Sequence, residues 1–384
     1  MKHISIALVI MMLCGCVAVP SYAAGTVCVV EEMAGLIVVM EEETEDCALL
    51  NEEGETIIPM GNELLSLHPI AENVVGVEKG FGRNRFALCS SDGLITDFEY
   101  DYLAVSEDAD MPILVAVGEA FLHGYIDLKG EWVIPPEWDA AEPFSEGLAL
   151  VSKGDDIGYI NTTGELEIRL DGSEWLTAES FSEGLAAVKT VDELWGYIDQ
   201  AGNVKIPCIY QEAWEFSDGL ANVVDEKGNF YIDHQGVPQS EARWKATWGY
   251  ENGYAIVRTE GGQEGILDVN GDFVIAPSSY IKALKILPNH QVWLWKRSAD
   301  LWGLYDLAQG RMITPFEWEM PTIIDEGFAY ENGVYIVMKE GLLGILSENG
   351  EVLIPPVYDL VYFSEDGGIG TVSGNYRTFV ELRK

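Results

Sequence analysis

Residues 144–165 read FSEGLALVSKGDDIGYINTTGE, and residues 181–203 read FSEGLAAVKTVDELWGYIDQAGN. Nearly the same phrase is written twice, with Phe144 and Phe181 only 37 residues apart (181 − 144). Self-similarity at such a period is the signature of a repeat architecture. With Gly-Tyr-Ile-Asp as the anchor, the phrase begins at Gly124, Gly158 and Gly196, and in altered form at Phe230, Gly265, Gly303 and Gly344. Degenerate copies begin at Ala48 and Ala87, and a last one at Thr378. Successive anchors lie 34 to 41 residues apart, which gives about nine full copies and a partial one.

Each copy has four parts. A Gly-Leu-Ala-x-Val segment at Gly147, Gly184 and Gly219 comes first, and the anchor follows it. A turn of the form Asp/Asn-x-x-Gly comes next, as in Asp127 to Gly130 and Asp199 to Gly202. A β-branched segment ending in proline closes the copy: VIPP at 133–136, KIP at 205–207, LIPP at 353–356. Short runs rich in Val, Ile, Leu and Tyr between turn signals read as strands. Asp at the head of the turn hydrogen-bonds the backbone after it, and glycine at its end accepts a left-handed conformation. The anchor and the proline segment therefore predict a hairpin. Pro135, Pro207 and Pro355 cannot donate to a ladder, so each should end a strand or lie on an edge. The fold class expected is all-β: a tandem repeat of about nine to ten short antiparallel β-meanders in a propeller-like or superhelical stack, with an open β-solenoid as the alternative. One meander cannot bury both faces alone, so neighbours must stack.

The phrase Leu194-Trp195-Gly196-Tyr197-Ile198-Asp199, closed by Gly202 and KIP and preceded by FSEGLAAV, resembles the bacterial WG repeat, also called KWG. Gly124, Tyr125, Asp127 and Gly130 carry it in an earlier copy, and Trp302-Gly303 repeats the WG pair. Elsewhere the tryptophan position holds His123, Ile157, Asn229, Glu264 or Leu343. The resemblance spans essentially residues 24–384. It implies a β-repeat array in an exported or surface protein, with structural rather than catalytic roles for the shared positions.

The chain has 384 residues, 48% of them hydrophobic, and 64 acidic against 22 basic residues for a net charge of −42. It can bury a sizeable core. That charge argues against nucleic acid, whose binding needs clustered Lys and Arg. The N-terminus has Lys2 and His3, an apolar run Ile4 to Leu13, Pro20 and then Ser21-Tyr22-Ala23. This predicts a signal peptide over residues 1–23 and a mature chain of 24–384. Leu13-Cys14-Gly15-Cys16 resembles a lipobox, so a lipid anchor at Cys16 is the alternative. No later run is long and apolar enough to cross a membrane as a helix. Cys28, Cys47, Cys89 and Cys208 form no dense disulfide framework and no CxxC metal pattern. Small buried apolar roles compete with bridging, and Cys28–Cys47 is the pairing to test.

Candidate chemistry is sparse. There is no GxSxG elbow and no HExxH, and the four histidines beyond the leader fall in different copies. Asp268-Val-Asn270-Gly-Asp272 looks slightly like a calcium loop but lies where every copy has its turn. No metal and no cofactor is therefore expected. Two tryptophan-rich, locally basic stretches break the repeat: HQVWLWKRSADLW at 290–302 and RWKATWGY at 243–250. In an extended strand Trp293, Trp295 and Arg297 share one face. Exposed tryptophan beside a cation is a platform for sugar rings or for a protein hot spot. These three, with Trp244 and Trp248, are the ligand-binding candidates; the competing reading is that they fill gaps between sheets. The expected role is a non-enzymatic binding or scaffold module for protein or polysaccharide at or outside the cell envelope. The alternatives are a secreted hydrolase with acidic residues in a cleft and a structural surface protein.

Overall fold

The computed structural model describes residues 27–380, apart from 42–43, 45, 62–64, 81–84, 107, 109, 279–280, 321–329, 332, 364–368 and 374–375. The expected leader and Cys16 lie outside the described residues. So does the Cys28 side chain, and with it the Cys28–Cys47 pairing.

The described residues form ten small antiparallel sheets of three or four strands and no helix. In every sheet the strands follow chain order, so each sheet is a simple meander. The chain divides into two compact units, Met1–Phe181 and Ser182–Lys384. In the second unit, strand Leu185–Thr190 pairs with Trp195–Asp199, and that strand pairs with Val204–Tyr210. In the first, Leu148–Lys153, Asp156–Asn161 and Leu166–Leu170 repeat the pattern.

The repeated phrase has a physical job at each letter. In Phe-Ser-Glu-Gly, Glu183 has φ of 52° and Gly184 of 80°. Ser182 and Leu185 exchange both backbone hydrogen bonds across them. Positive φ at both central residues is the two-residue type I′ hairpin, whose twist matches the flanking strands. Glu146-Gly147, Asp218-Gly219 and Asn252-Gly253 repeat it. The serine hydroxyl then donates to the carbonyl of the aromatic residue one copy later: Ser145 to Phe181 at 2.6 Å, Ser182 to Phe216 at 2.7 Å, Ser217 to Tyr250 at 2.6 Å.

The anchor tyrosine works in the same direction. Tyr125 packs on Phe144 with ring centroids 4.7 Å apart, and Tyr197 on Phe216 at 5.0 Å. Such tilted and edge-on pairs add about 1 kcal/mol beyond area burial. The tyrosine hydroxyls donate to backbone carbonyls further on: Tyr125 to Glu142, Tyr197 to Trp214 and Tyr231 to Trp248, each 17 residues on, and Tyr159 to Glu179, 20 residues on. Burial of these phenols pushes their pKa values far up. Ring packing and hydroxyl together join one meander to the next, which is why the phrase recurs nearly unchanged.

The second turn is as expected. Asp199 Oδ1 accepts from the backbone of Asn203 at 2.8 Å and Ala201 at 3.1 Å, and Gly202 has φ of 79°. The Asn203 amide leads in holding the Asp199 carboxyl below its ordinary pKa. Asp127 and Gly130 build the same turn, with Asp127 accepting from Lys129 and Glu131. The prolines take the edge alternative of the two expected for them. Pro135, Pro207 and Pro355 lie within outermost strands of their sheets, as expected of residues that cannot donate. The register of Val204–Tyr210 slips between Trp195↔Tyr210 and Tyr197↔Ile206, so two extra residues bulge out there. The bulge accommodates a residue that cannot donate.

Candidate functional site

The tryptophan of the WG pair is one station in a row of three residues lying side by side across strands. In the best-formed copy the row is Lys189, Trp195, Tyr210, with the Lys189 ammonium 5.8 Å from the Trp195 ring centre. Elsewhere it is Trp295, Trp302, Trp318. It becomes Ser152, Ile157, Leu170 in one copy and Arg258, Glu264, Ser278 in another. The glycine after the tryptophan position is fixed by close approach. A Cβ at Gly196 would lie 2.6 Å from the Ile206 carbonyl oxygen and 2.7 Å from Cys208 N. Gly124 and Gly344 are crowded in the same way by the backbone of their bulged strands, and Gly303 by the Met312 side chain and the Pro315 carbonyl.

Two of the positions without tryptophan border a cleft. At Ile157 a cleft of about 180 Å³ is lined by Trp138, Lys153, Asp156, Ile157 and Arg169, among others. At Glu264 a larger cleft of about 330 Å³ is lined by Trp248, Glu251, Arg258, Glu264, Lys282 and Lys285, with Ile256 and Ile286 at its apolar wall. Glu264 is buried and firmly held. Its Oε1 accepts from Arg258 Nη2 at 2.6 Å and Nε at 3.2 Å, and its Oε2 accepts from the Ala283 amide at 3.3 Å. The Arg258 guanidinium also lies 5.1 Å from the Trp248 ring centre. Trp248 itself is 42% exposed. The arrangement offers a flat aromatic face, a fixed ion pair and two further ammonium groups within one concave surface.

Among the sequence candidates, Trp248 is the residue that lines a cleft. Trp293 does not present a face to solvent. It is 2% exposed and packs edge-on against Tyr335 at 5.5 Å, in a core with Trp302, Leu304 and Trp318. The shared face of Trp293 and Trp295 is the inner one, because the strand Gln291–Lys296 turns that face to the neighbouring meander rather than to water. Trp295 is half-buried, stacked on Trp302 at 6.3 Å and donating to Asp300 at 3.0 Å. Arg297 lies beyond the strand, 5.8 Å from the Trp295 ring centre. Trp244 is half-buried, bridged to Asn229 and set edge-on to Phe273 at 5.7 Å, away from the cleft. Arg258, Lys282 and Lys285 were not signalled by any motif. The visible clue was Glu264 in a tryptophan position.

Asp268 accepts from Asn270 N at 2.9 Å and Asp272 N at 3.0 Å, which is the hairpin-turn role. Among the described residues no group of three or more His, Cys, Asp or Glu side chains is placed to hold a metal ion. Cys47 and Cys89 are buried, as small apolar residues would be; burial pushes the Cys89 thiol up to about 11. Cys208 is partly buried, and its thiol is likewise raised by burial.

Comparisons with known proteins agree with the geometry. No curated protein sequence matches the chain. The eukaryotic initiation factor structure aligns with a TM-score of 0.52 at 11% identity, over 84% of this chain and 96% of its own. BamB from Moraxella catarrhalis aligns with a TM-score of 0.37 at 10% identity, over 69% of this chain and 89% of its own. Both are β-propeller proteins, and the first likeness is one of fold. The family model for the WG containing repeat matches residues 124–155, 157–193, 195–229 and 344–372. With the repeated phrase, the crowded glycine and the hairpin register all in place, the chain carries WG repeats over these four stretches.

Proposed function

We propose that this protein is an exported binding module rather than a catalyst, and that it engages a protein or polysaccharide partner at or outside the cell envelope. The observation that carries the reading is the cleft at Glu264, where the repeat gives up its tryptophan and leaves Trp248, Arg258, Lys282 and Lys285 around a concave surface. A partly exposed aromatic beside fixed polar groups is what a binding site requires. The leader-like residues 1–23 support export. The acidic surface suits a soluble protein outside the cell.

Glu264→Trp tests the site by restoring the family residue and filling the cleft. Arg258 would then face an indole, as Lys189 faces Trp195. The purified protein is screened against isolated envelope polysaccharides and envelope proteins. The expected result is binding by the parent and loss in a variant whose circular dichroism is unchanged. Undiminished binding by the folded variant would remove the cleft from the function.

A further inference from the structure

We propose that the Glu264 cleft takes a saccharide bearing carboxylate groups, with Trp248 as the stacking face and Lys282 and Lys285 as the anion contacts. The inference rests on the binding reading above and names its ligand class.

Three observations carry it. The first is charge. Acidic residues outnumber basic ones 64 to 22, yet three cations line this one cleft against Glu251 and Glu264. Arg258 is committed to Glu264. Lys282 and Lys285 are exposed and enter no ion pair among the described residues. In a chain with an excess of carboxylates, two ammonium groups left together on one surface mark a place for a visiting anion.

The second is strand geometry. Lys282 and Lys285 are three residues apart, so a regular strand would point them to opposite faces. The register slips between Ala283 and Ile286, and both lysines line the cleft. Bulges re-aim side chains in this way next to binding sites.

The third is the mixture of groups. A sugar ring sets its C–H face on an aromatic ring while its hydroxyls give and take hydrogen bonds. Trp248 supplies the ring; Glu251 and Glu264 accept; the lysines and Arg258 donate. A run of acidic side chains would satisfy the lysines but would leave the aromatic face without its complement. The volume of about 330 Å³ suits one or two rings of a chain that passes through.

The protein is titrated with polygalacturonate, alginate and hyaluronan, and the polymer that binds is compared with its methyl ester and with polyglutamate. Lys282→Gln/Lys285→Gln, Trp248→Ala and Glu264→Trp are run beside the parent after a folding check. Binding to at least one acidic polysaccharide is expected. Methyl esterification or the double lysine variant should weaken it roughly fivefold to tenfold, as for two partly screened charge contacts. Added salt should weaken it too, because exposed charges are screened beyond a Debye length of about 10 Å at 0.1 M. Trp248→Ala should abolish it. Equal binding of acid and ester, equal binding of polyglutamate, or no binding to any of the three polysaccharides overturns the proposal. Equal binding of acid and ester that Glu264→Trp still abolishes would leave the cleft as a site and remove only its anionic preference. Binding indifferent to Glu264→Trp would remove both readings.

Discussion

Gly196 and Gly184 stand twelve residues apart in one copy (196 − 184) and are glycine for different reasons, so alanine at each should behave differently. At Gly184 an added Cβ meets nothing within 4 Å, but φ is 80°. The cost is that of holding an L-residue in the left-handed region, about 1 kcal/mol. At Gly196 φ is ordinary for a strand, but Cβ would lie 2.6 Å from Ile206 O, 2.7 Å from Cys208 N and 2.7 Å from Cys208 Sγ. Two of those atoms are backbone of the bulged edge strand. They must retreat by roughly half an ångström or more to reach an ordinary contact, as overpacked sites do at a cost of about 3 kcal/mol. The retreat also loosens the hydrogen bonds that hold Val204–Tyr210 to its neighbour. For a unit of about 200 residues, 1 kcal/mol shifts Tm by roughly 2–4 °C. Gly196→Ala should therefore lower Tm by roughly 6–12 °C, and Gly184→Ala by roughly 2–4 °C. Thermal unfolding followed by circular dichroism reads both. Gly184→Asn should recover most of its loss, because Asn tolerates the left-handed region, whereas nothing larger than hydrogen should be tolerated at Gly196. If Gly196→Ala costs no more than Gly184→Ala, the close approach assigned to the WG glycine is wrong.

Tyr197→Phe removes a donor from the Trp214 carbonyl, which lies in the register slip between Ala213 and Phe216. Leaving that carbonyl without its donor should cost about 1–2 kcal/mol, read as a lower denaturant midpoint with an unchanged slope; no change would mean that water replaces the hydroxyl. Alkali should unfold the protein cooperatively. The Tyr100 and Tyr250 phenols are raised by burial from 10.0 to about 12, and Tyr197 and Tyr231 further still. Above pH 10 the folded state then holds more protons than the unfolded one, so stability falls as pH rises; it is fully present below pH 10. Tyrosinate absorbance should appear together with loss of the β spectrum. Separate, gradual ionisation at ordinary pKa values would contradict the burial assigned to these rings.

The repeat unit is legible in the chain's local sequence. The period, the Asp-x-x-Gly turn and the β-branched proline segment are local facts, and local physics reads them: Asp199 closes its own turn, and Gly202 has the positive φ that its place predicts. Sequence spacing also showed where the pattern breaks, as at Glu264. What needed the tertiary structure was every contact made from one copy to the next. That Ser182 reaches the Phe216 carbonyl, and Tyr197 that of Trp214, depends on how meanders stack. The same holds for tryptophan. Trp293 and Trp248 both stand in aromatic, basic stretches and read alike in the sequence. One fills the space beneath Tyr335 and the other borders a cleft, because burial is decided by what the neighbouring meander presents. The lysines came last of all. Strand alternation alone would send Lys282 and Lys285 to opposite faces, and only the register slip beside them brings both to one surface.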